Sequence, residues 1–488
     1  MGIPYQTEKA IEKPLDSFPL AGPLNQHFLN LHRAFKYKEP AEKEKRKILT
    51  IIERNDQIAN LLNREEYQAV LSEENVLKGS CKVGVVLCID GRIPIIHQFG
   101  RTLNAWEVAG SLIGLKNDGK NIDSVLFNEI LHGFIRSTGD GNRDLLEIVT
   151  AHTSLATDHK CGAIKAGIDD GTFDKNRPPV DIALEEAGKR TRAIENTYNQ
   201  LLENESKVPL KQIALTALID TDTMGFILNY GQENELSTTK LLKSGLDKAI
   251  GNVMTERAGA FGSMRDTFTN TTFFIDYSKN VSRITEFLLT TSLNFSENFN
   301  FQDYITKYIN QNYGKLTPDQ KKALQFTIAR TIAVQYLTGL SKLPEDGHPN
   351  HPFSEHEENY MVIAPNGKGM GRFDIAEQAF ISSPSGTENS IKEIHIKLSL
   401  LDKSRKKKNA PDEPDILFVS NPVDKKDWEE KNQMTHSIRA DNAKLYKALV
   451  QDSEIGNRVK NGSLIIIPVL VDQETGEVLE ILEHSTHL

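Results

Sequence analysis

The residues best suited to chemistry in this chain are its three cysteines, Cys81, Cys88 and Cys161, and the polar groups near two of them. The stretch "KVGVVLCIDGRIP", Lys82 to Pro94, runs apolar and β-branched up to Cys88 and then offers Asp90 and Arg92. Residues two apart share one face of an extended chain, so Cys88, Asp90 and Arg92 point into one space where strand geometry persists. An apolar core rejects an acid and a base unless a partner offsets their burial. A structural salt bridge is the plainer alternative to a site. A second stretch, "AHTSLATDHKCGAIKAG", Ala151 to Gly167, adds His152, His159 and Cys161. Two thiolates and one imidazole make a good tridentate set for Zn²⁺, with the fourth tetrahedral position left to water. A single Cys in an apolar run is more often core filler, and Cys81 fits that reading.

Such residues act only if strand ends hold them. "VGVVLCI" and "DLLEIVTAH" are continuous apolar runs, as expected of strands covered on both faces, and both end in a reactive side chain. "ALEEAGKRTRAIENTYNQLLENE" reads as a helix leading into a further strand, "QIALTALIDTDT", which ends at Asp220 and Asp222. The alternation predicts an α/β layer with a mostly parallel sheet, whose sites gather at the carboxyl ends of strands. Before it, "AEKEKRKILTIIERNDQIANLLNREEYQAVL" places Ile48, Ile51, Ile52, Ile58 and Leu62 at helical spacing. Later, "PDQKKALQFTIARTIAVQYLTGL" reads as a helix, and "EIHIKLSLL", "DILFVSNP" and "SLIIIPVLV" as strands. "IIIPVLVDQETG" echoes "IALTALIDTDTMG", which hints at a duplication, yet no cysteine lies beyond Cys161. The predicted layout is a helical N-terminal region over 1–75, a zinc-binding catalytic domain over 76–265, and a C-terminal domain without metal ligands over 266–488.

Composition narrows the function classes. A net charge of −9 argues against general nucleic-acid binding. No apolar run reaches the length of a membrane span, and the first residues lack the apolar core of a signal peptide. Three cysteines are too few for a disulfide framework, which favours a reducing compartment. The expectation is a soluble cytoplasmic protein. The histidines in "HPNHPFSEH", the basic run "KSRKKKN" and the turn "GDGNRD" read as loop features.

The pattern C-x-D-G-R at a strand end, followed by a His and a Cys-Gly pair, resembles the β-class carbonic anhydrases, and most closely their carboxysome shell branch. The likeness is specific over residues 83–100, 145–167 and 213–226, and architectural elsewhere. It implies an α/β (α+β) fold: a helical N-terminal region, a mostly parallel-sheet zinc domain, and a C-terminal α/β domain resembling a degenerate copy. It implies Zn²⁺ as cofactor, held by Cys88, His152 and Cys161, and reversible hydration of CO₂ to bicarbonate by zinc-bound hydroxide. Asp90 and Arg92 are the implied catalytic dyad: Asp90 orients the hydroxide, and Arg92 keeps Asp90 ionised. Gly162, lacking a side chain, lets substrate approach. His159 rivals His152 as ligand; His152 is preferred because it ends an apolar strand.

Two other readings follow from the same residues. The His-to-Cys spacing, nine from His152, departs from the family, which favours a catalytically lapsed, zinc-stabilised shell or scaffold protein as the alternative. A different zinc hydrolase fits the Asp-Arg pair less well. The family also implies a homodimer or larger homo-oligomer, a shell or scaffold partner, and residence in a carboxysome or free in the cytoplasm.

Overall fold

The structure, a computed structural model, describes residues 41–86, 104–106, 143–156, 161–169, 171–204, 211–254, 271–297, 299–339, 360–363, 380–382, 386–408, 413–472 and 475–482. The charged, amphipathic N-terminal segment forms two helices, α1 (Glu42–Leu62) and α2 (Glu65–Lys78), and Gly79 ends the second at φ 71°.

The first sheet comprises β1 (Lys82–Val86), β2 (Asn104–Trp106), β3 (Leu145–Thr153), β4 (Gln212–Asp220), β5 (Gly225–Leu228) and β6 (Leu236–Ser237). Helices α3 (Gly162–Asp169) and α4 (Pro179–Asn204) connect β3 to β4. The spatial order is β2-β1-β3-β4-β5-β6, parallel through β4 and antiparallel beyond it. Helix α5 (Thr271–Thr290), a β7–β8 hairpin (Asn294–Ser296, Phe299–Asn300), α6 (Phe301–Asn312) and α7 (Pro318–Thr338) follow. Thr317 starts α7 with a reciprocal capping box to Gln320, and Pro318 occupies the first turn, where its missing N–H costs nothing.

A second sheet contains β9 (Tyr360–Ile363), β10 (Phe380–Ser382), β11 (Asp415–Val423), β12 (Leu464–Asp472) and β13 (Val478–Ile481). Helix α8 (Gly386–Lys408) precedes β11, and α9 (Lys425–Glu429), α10 (Gln433–Gln451) and α11 (Ser453–Asn461) lie between β11 and β12. Its order, β10-β9-β11-β12-β13, repeats that of the first sheet from β2 to β5, again with only the last pairing antiparallel. The central pairs match in length and phase: Leu145↔Gln212 to Thr153↔Asp220 in one, Asp415↔Leu464 to Val423↔Asp472 in the other. The expected α/β class agrees with these helices and mostly parallel sheets.

Both faces of the first sheet are covered, which is why its strands read as unbroken apolar runs. Leu146 and Ile148 pack with Val281 of α5 and Leu324 of α7, whereas Val149 and Ala151 pack with Ile164 of α3 and Ile194 of α4. The sequence sets a domain boundary after residue 265, yet α5, α6 and α7 beyond it cover the first sheet. The N-terminal helices also divide their allegiance. Ile48, Ile51 and Ile52 of α1 join the core of the second sheet, against Phe418 and Ile467. Asn55 donates to the Gly476 carbonyl at 2.8 Å, and Asp56 accepts from the Val478 N–H at 2.8 Å. Helix α2 instead docks on α7 through a buried Glu74–Arg330 ion pair and through Lys78, whose ammonium lies 4.7 Å from the Phe326 ring centre.

The segment "EIHIKLSLL", expected as a strand, lies inside α8. Its alternating Ile and Leu suggested period two, but Ser390, Ile394, Lys397 and Leu398 are buried at spacings of three and four. A crossover between strands of one parallel sheet also needs a helix-like connection.

Glu147 lies in the middle of β3 on the face toward α4, with no exposed surface. Burial pushes its carboxyl up to about 8 from an ordinary 4.5, with the neighbouring Gln212 side chain pulling the other way. The folded protein therefore holds a proton that the unfolded chain releases above about pH 4.5, so this group costs stability as pH rises from there to about 8. Every tenfold difference in proton affinity between the folded and unfolded chain is worth about 1.4 kcal/mol. Glu147→Gln is expected to remove this part of the decline, read as urea midpoints from pH 5 to 8; parallel profiles for the two proteins would contradict it. Asp56, pushed up to about 7 mainly by burial, contributes a decline that the substitution leaves in place.

Candidate functional site

In a parallel sheet the carboxyl ends of neighbouring strands share one edge, and here that edge gathers the ends of β1, β3 and β4. Strand β1 is described to Val86, which pairs with Val149, and β3 continues four residues further to Thr153. His152 is the penultimate residue of β3, 1% exposed and in register with Ile219 of β4. By alternation it shares the side of Leu146 and Ile148, facing α5 and α7. Cys161, 2% exposed, packs on the other side with Val149, Ala151 and Ile164. It stands immediately before α3, where its carbonyl accepts the Lys165 N–H at 3.0 Å. The start of a helix presents N–H groups that favour negative charge, which suits a thiolate. Gly162 is the first residue of α3. Cys88, Asp90, Arg92 and His159 lie outside the described residues.

The β4–β5 turn, "DTDT", builds a polar lattice against the backbone that follows His152. Thr223 Oγ1 donates to Asp220 Oδ2 at 2.6 Å, and the Leu155 and Asp222 N–H groups donate to Asp220 Oδ1, each at 3.2 Å. Asp222 Oδ2 accepts from Ser154 Oγ at 2.5 Å and from the Ala156 N–H at 2.7 Å. The Thr221 N–H closes the set on the Thr153 carbonyl at 2.9 Å. Burial raises the Asp220 carboxyl above its usual range, the Asp222 charge acts in the same direction, and the bonds from Thr223 and Leu155 oppose both. Gln335 of α7 braces the turn from behind, donating to the Thr223 carbonyl and to Thr239 Oγ1, both at 2.8 Å. The sequence placed Asp220 and Asp222 at a strand end and gave no sign of Ser154 beyond its place, one residue past a strand whose neighbour ends in two carboxylates.

Cys81, before β1, is buried, and its Sγ lies 3.1 Å from the Lys82 carbonyl. Burial pushes its thiol up to about 12, with the Asp144 charge adding to the effect. That is the environment of an inert core cysteine.

No protein-family model and no curated protein matches this chain. Its chemistry must be argued from the residues themselves. Among the described residues, no three His, Cys, Asp or Glu side chains form a group able to hold a metal ion. A metal ion held by His152 and Cys161 would need a third donor from outside the described residues. An imidazole and a thiol are the donor types that select Zn²⁺, so the residues present fit that ion in kind. His348, His351 and His356 also lie outside the described residues. The basic run from Lys403 to Lys408, expected as a loop, forms the last turns of α8. Among the described residues no helix is long and apolar enough to cross a membrane.

Proposed function

We propose that the chain is a zinc-dependent carbonic anhydrase of the β-class type, interconverting CO₂ and bicarbonate, with Cys88, His152 and Cys161 as metal ligands. The observation that carries the reading is the burial of His152 and Cys161 at the carboxyl edge of a mostly parallel sheet, beside a strand that runs toward C-x-D-G-R. Parity supports it. Val83 and Val85 belong to the α5–α7 side, and Cys88 has the opposite parity, which in an extended chain matches the side on which Cys161 packs. The reading requires the two sulfurs and the imidazole to meet beyond the strand ends.

The second sheet supports the domain reading. Its shared strand order suits a degenerate copy of the first, and Pro422 occupies the register position of His152. The sequence after β9 offers Ala364 and Pro365 and no cysteine.

A bound Zn²⁺ supplies a water acidified toward neutral pH. The protein's own residues do the rest. Asp90 would accept a hydrogen bond from that water and so orient it toward the substrate. Arg92 would pair with Asp90, keep it ionised and add charge that favours the bicarbonate anion. The N–H groups at the start of α3, with no side chain at Gly162, leave room for a small substrate.

Zinc content per chain, measured beside stopped-flow CO₂ hydration on the same preparation, tests the reading. About one zinc per chain with rapid hydration is expected. A metal-replete chain without hydration would favour the zinc-stabilised scaffold, and a chain that takes up no zinc would end both readings.

A further inference from the structure

We infer that Asp222 is a positioning residue for the metal ligands, fixing the chain path from His152 to Cys161 by clamping the backbone between them. The inference rests on the zinc reading above. His152 is held by β3, and Cys161 by the start of α3; residues 153–160 join them. A metal site tolerates errors of only a few tenths of an ångström in its donors, so that connection needs a fixed course. Asp222 is 2% exposed, and its Oδ2 takes the Ser154 hydroxyl and the Ala156 N–H together.

The second sheet separates what the fold needs from what the site needs. There, Thr475 Oγ1 donates to Asp472 Oδ2 at 2.6 Å, and the Glu477 N–H donates to Thr475 Oγ1 at 3.2 Å. Thr223 bonds Asp220 at 2.6 Å and accepts the Gly225 N–H at 3.2 Å in the same way. This Asp-x-x-Thr turn therefore belongs to the shared architecture. After β11, however, the residue corresponding to Ser154 is Asp424, which caps α9 by accepting the Lys426 N–H at 2.8 Å. The chain there passes straight into a helix. The grip of Asp222 on Ser154 and Ala156 holds the segment that leaves the His152 strand.

The test uses the full-length, zinc-loaded chain and its Asp222→Ala and Ser154→Ala variants. Zinc release to the chromogenic chelator 4-(2-pyridylazo)resorcinol is followed, together with the visible spectrum after Co²⁺ exchange and thermal unfolding by circular dichroism. Loss of an outer-shell partner typically weakens metal binding by about 10–100-fold. Asp222→Ala is expected to lose zinc faster by a factor in that range and to alter the Co²⁺ bands while still unfolding cooperatively. Ser154→Ala, which removes one donor of two, is expected to shift both readouts less and in the same direction. Wild-type that holds zinc beside an Asp222→Ala protein with the same release rate and spectrum would overturn the inference alone. Wild-type without zinc would overturn the zinc reading and the inference with it. Should Asp222→Ala fail to fold, unchanged release from Ser154→Ala would decide against the inference.

Discussion

Cys161→Ala is expected to leave a folded chain whose zinc falls from about one per molecule to nearly none, with CO₂ hydration lost in parallel. The side chain is small and sits at a helix start, so its removal costs the core little: the lost sulfur is comparable to one or two methyl groups, about 1 kcal/mol each. The metal loses far more. In the proposed site of three protein ligands and an open position, deleting one leaves two donors, too few to hold Zn²⁺ against solvent. Cys88→Ala is expected to behave alike, because the proposed site gives both thiolates the same role. Cys81→Ala is the control. Its thiol is buried beside the Lys82 carbonyl and held in the protonated form by its surroundings, so zinc content and turnover should match the parent. Metal analysis after dialysis, with stopped-flow assays on the same samples, checks all three. Stoichiometric zinc in Cys161→Ala would show the ligand set to be wrong.

Asp90→Asn is expected to separate binding from chemistry. The substitution keeps shape and removes the charge that accepts and directs a hydrogen, leaving the metal ligands untouched. Positioned acid–base groups contribute roughly 10²–10⁴-fold to rate. Turnover should fall within that range while zinc stays near one per chain and the unfolding temperature barely moves. Unchanged turnover would remove Asp90 from the mechanism. Coincident loss of zinc would recast it as part of the metal shell.

Much of the framework was legible in the sequence. β3, β4, β11 and β12 are sheet interiors, and burial on both faces leaves unbroken runs such as "LLEIVTAH" and "LIIIPVLV". α7 announces itself through Thr317-Pro318 and Gln320, because capping is a local interaction. What failed to show was what lay against what. α8 carries an apparent strand alternation because its Ile and Leu fall at spacings that satisfy both periods over nine residues. The stripe on α1 declared an apolar partner without naming it, and that partner proved to be the second sheet, more than 300 residues away in sequence. At the site, the residue types at strand ends were readable: the apolar run that ends in His152 is β3, whereas Cys161 stands before a helix. The bonds from Asp222 to Ser154 and Ala156 were not readable, since they depend on register between two strands separated by a helical crossover.

The parting of α1 from α2 has a consequence for dissecting this molecule. Adjacent helices, joined through Asn63 and Arg64, pack on different halves, α1 on the second sheet and α2 on α7 over the first, and so lace the two halves together. A fragment beginning near Tyr360 would carry every strand of the second sheet and still leave bare the face that Ile48, Ile51 and Ile52 shield. Cut between Gly339 and Tyr360, the intact protein should stay in one piece on a sizing column, its tail retained by its own beginning.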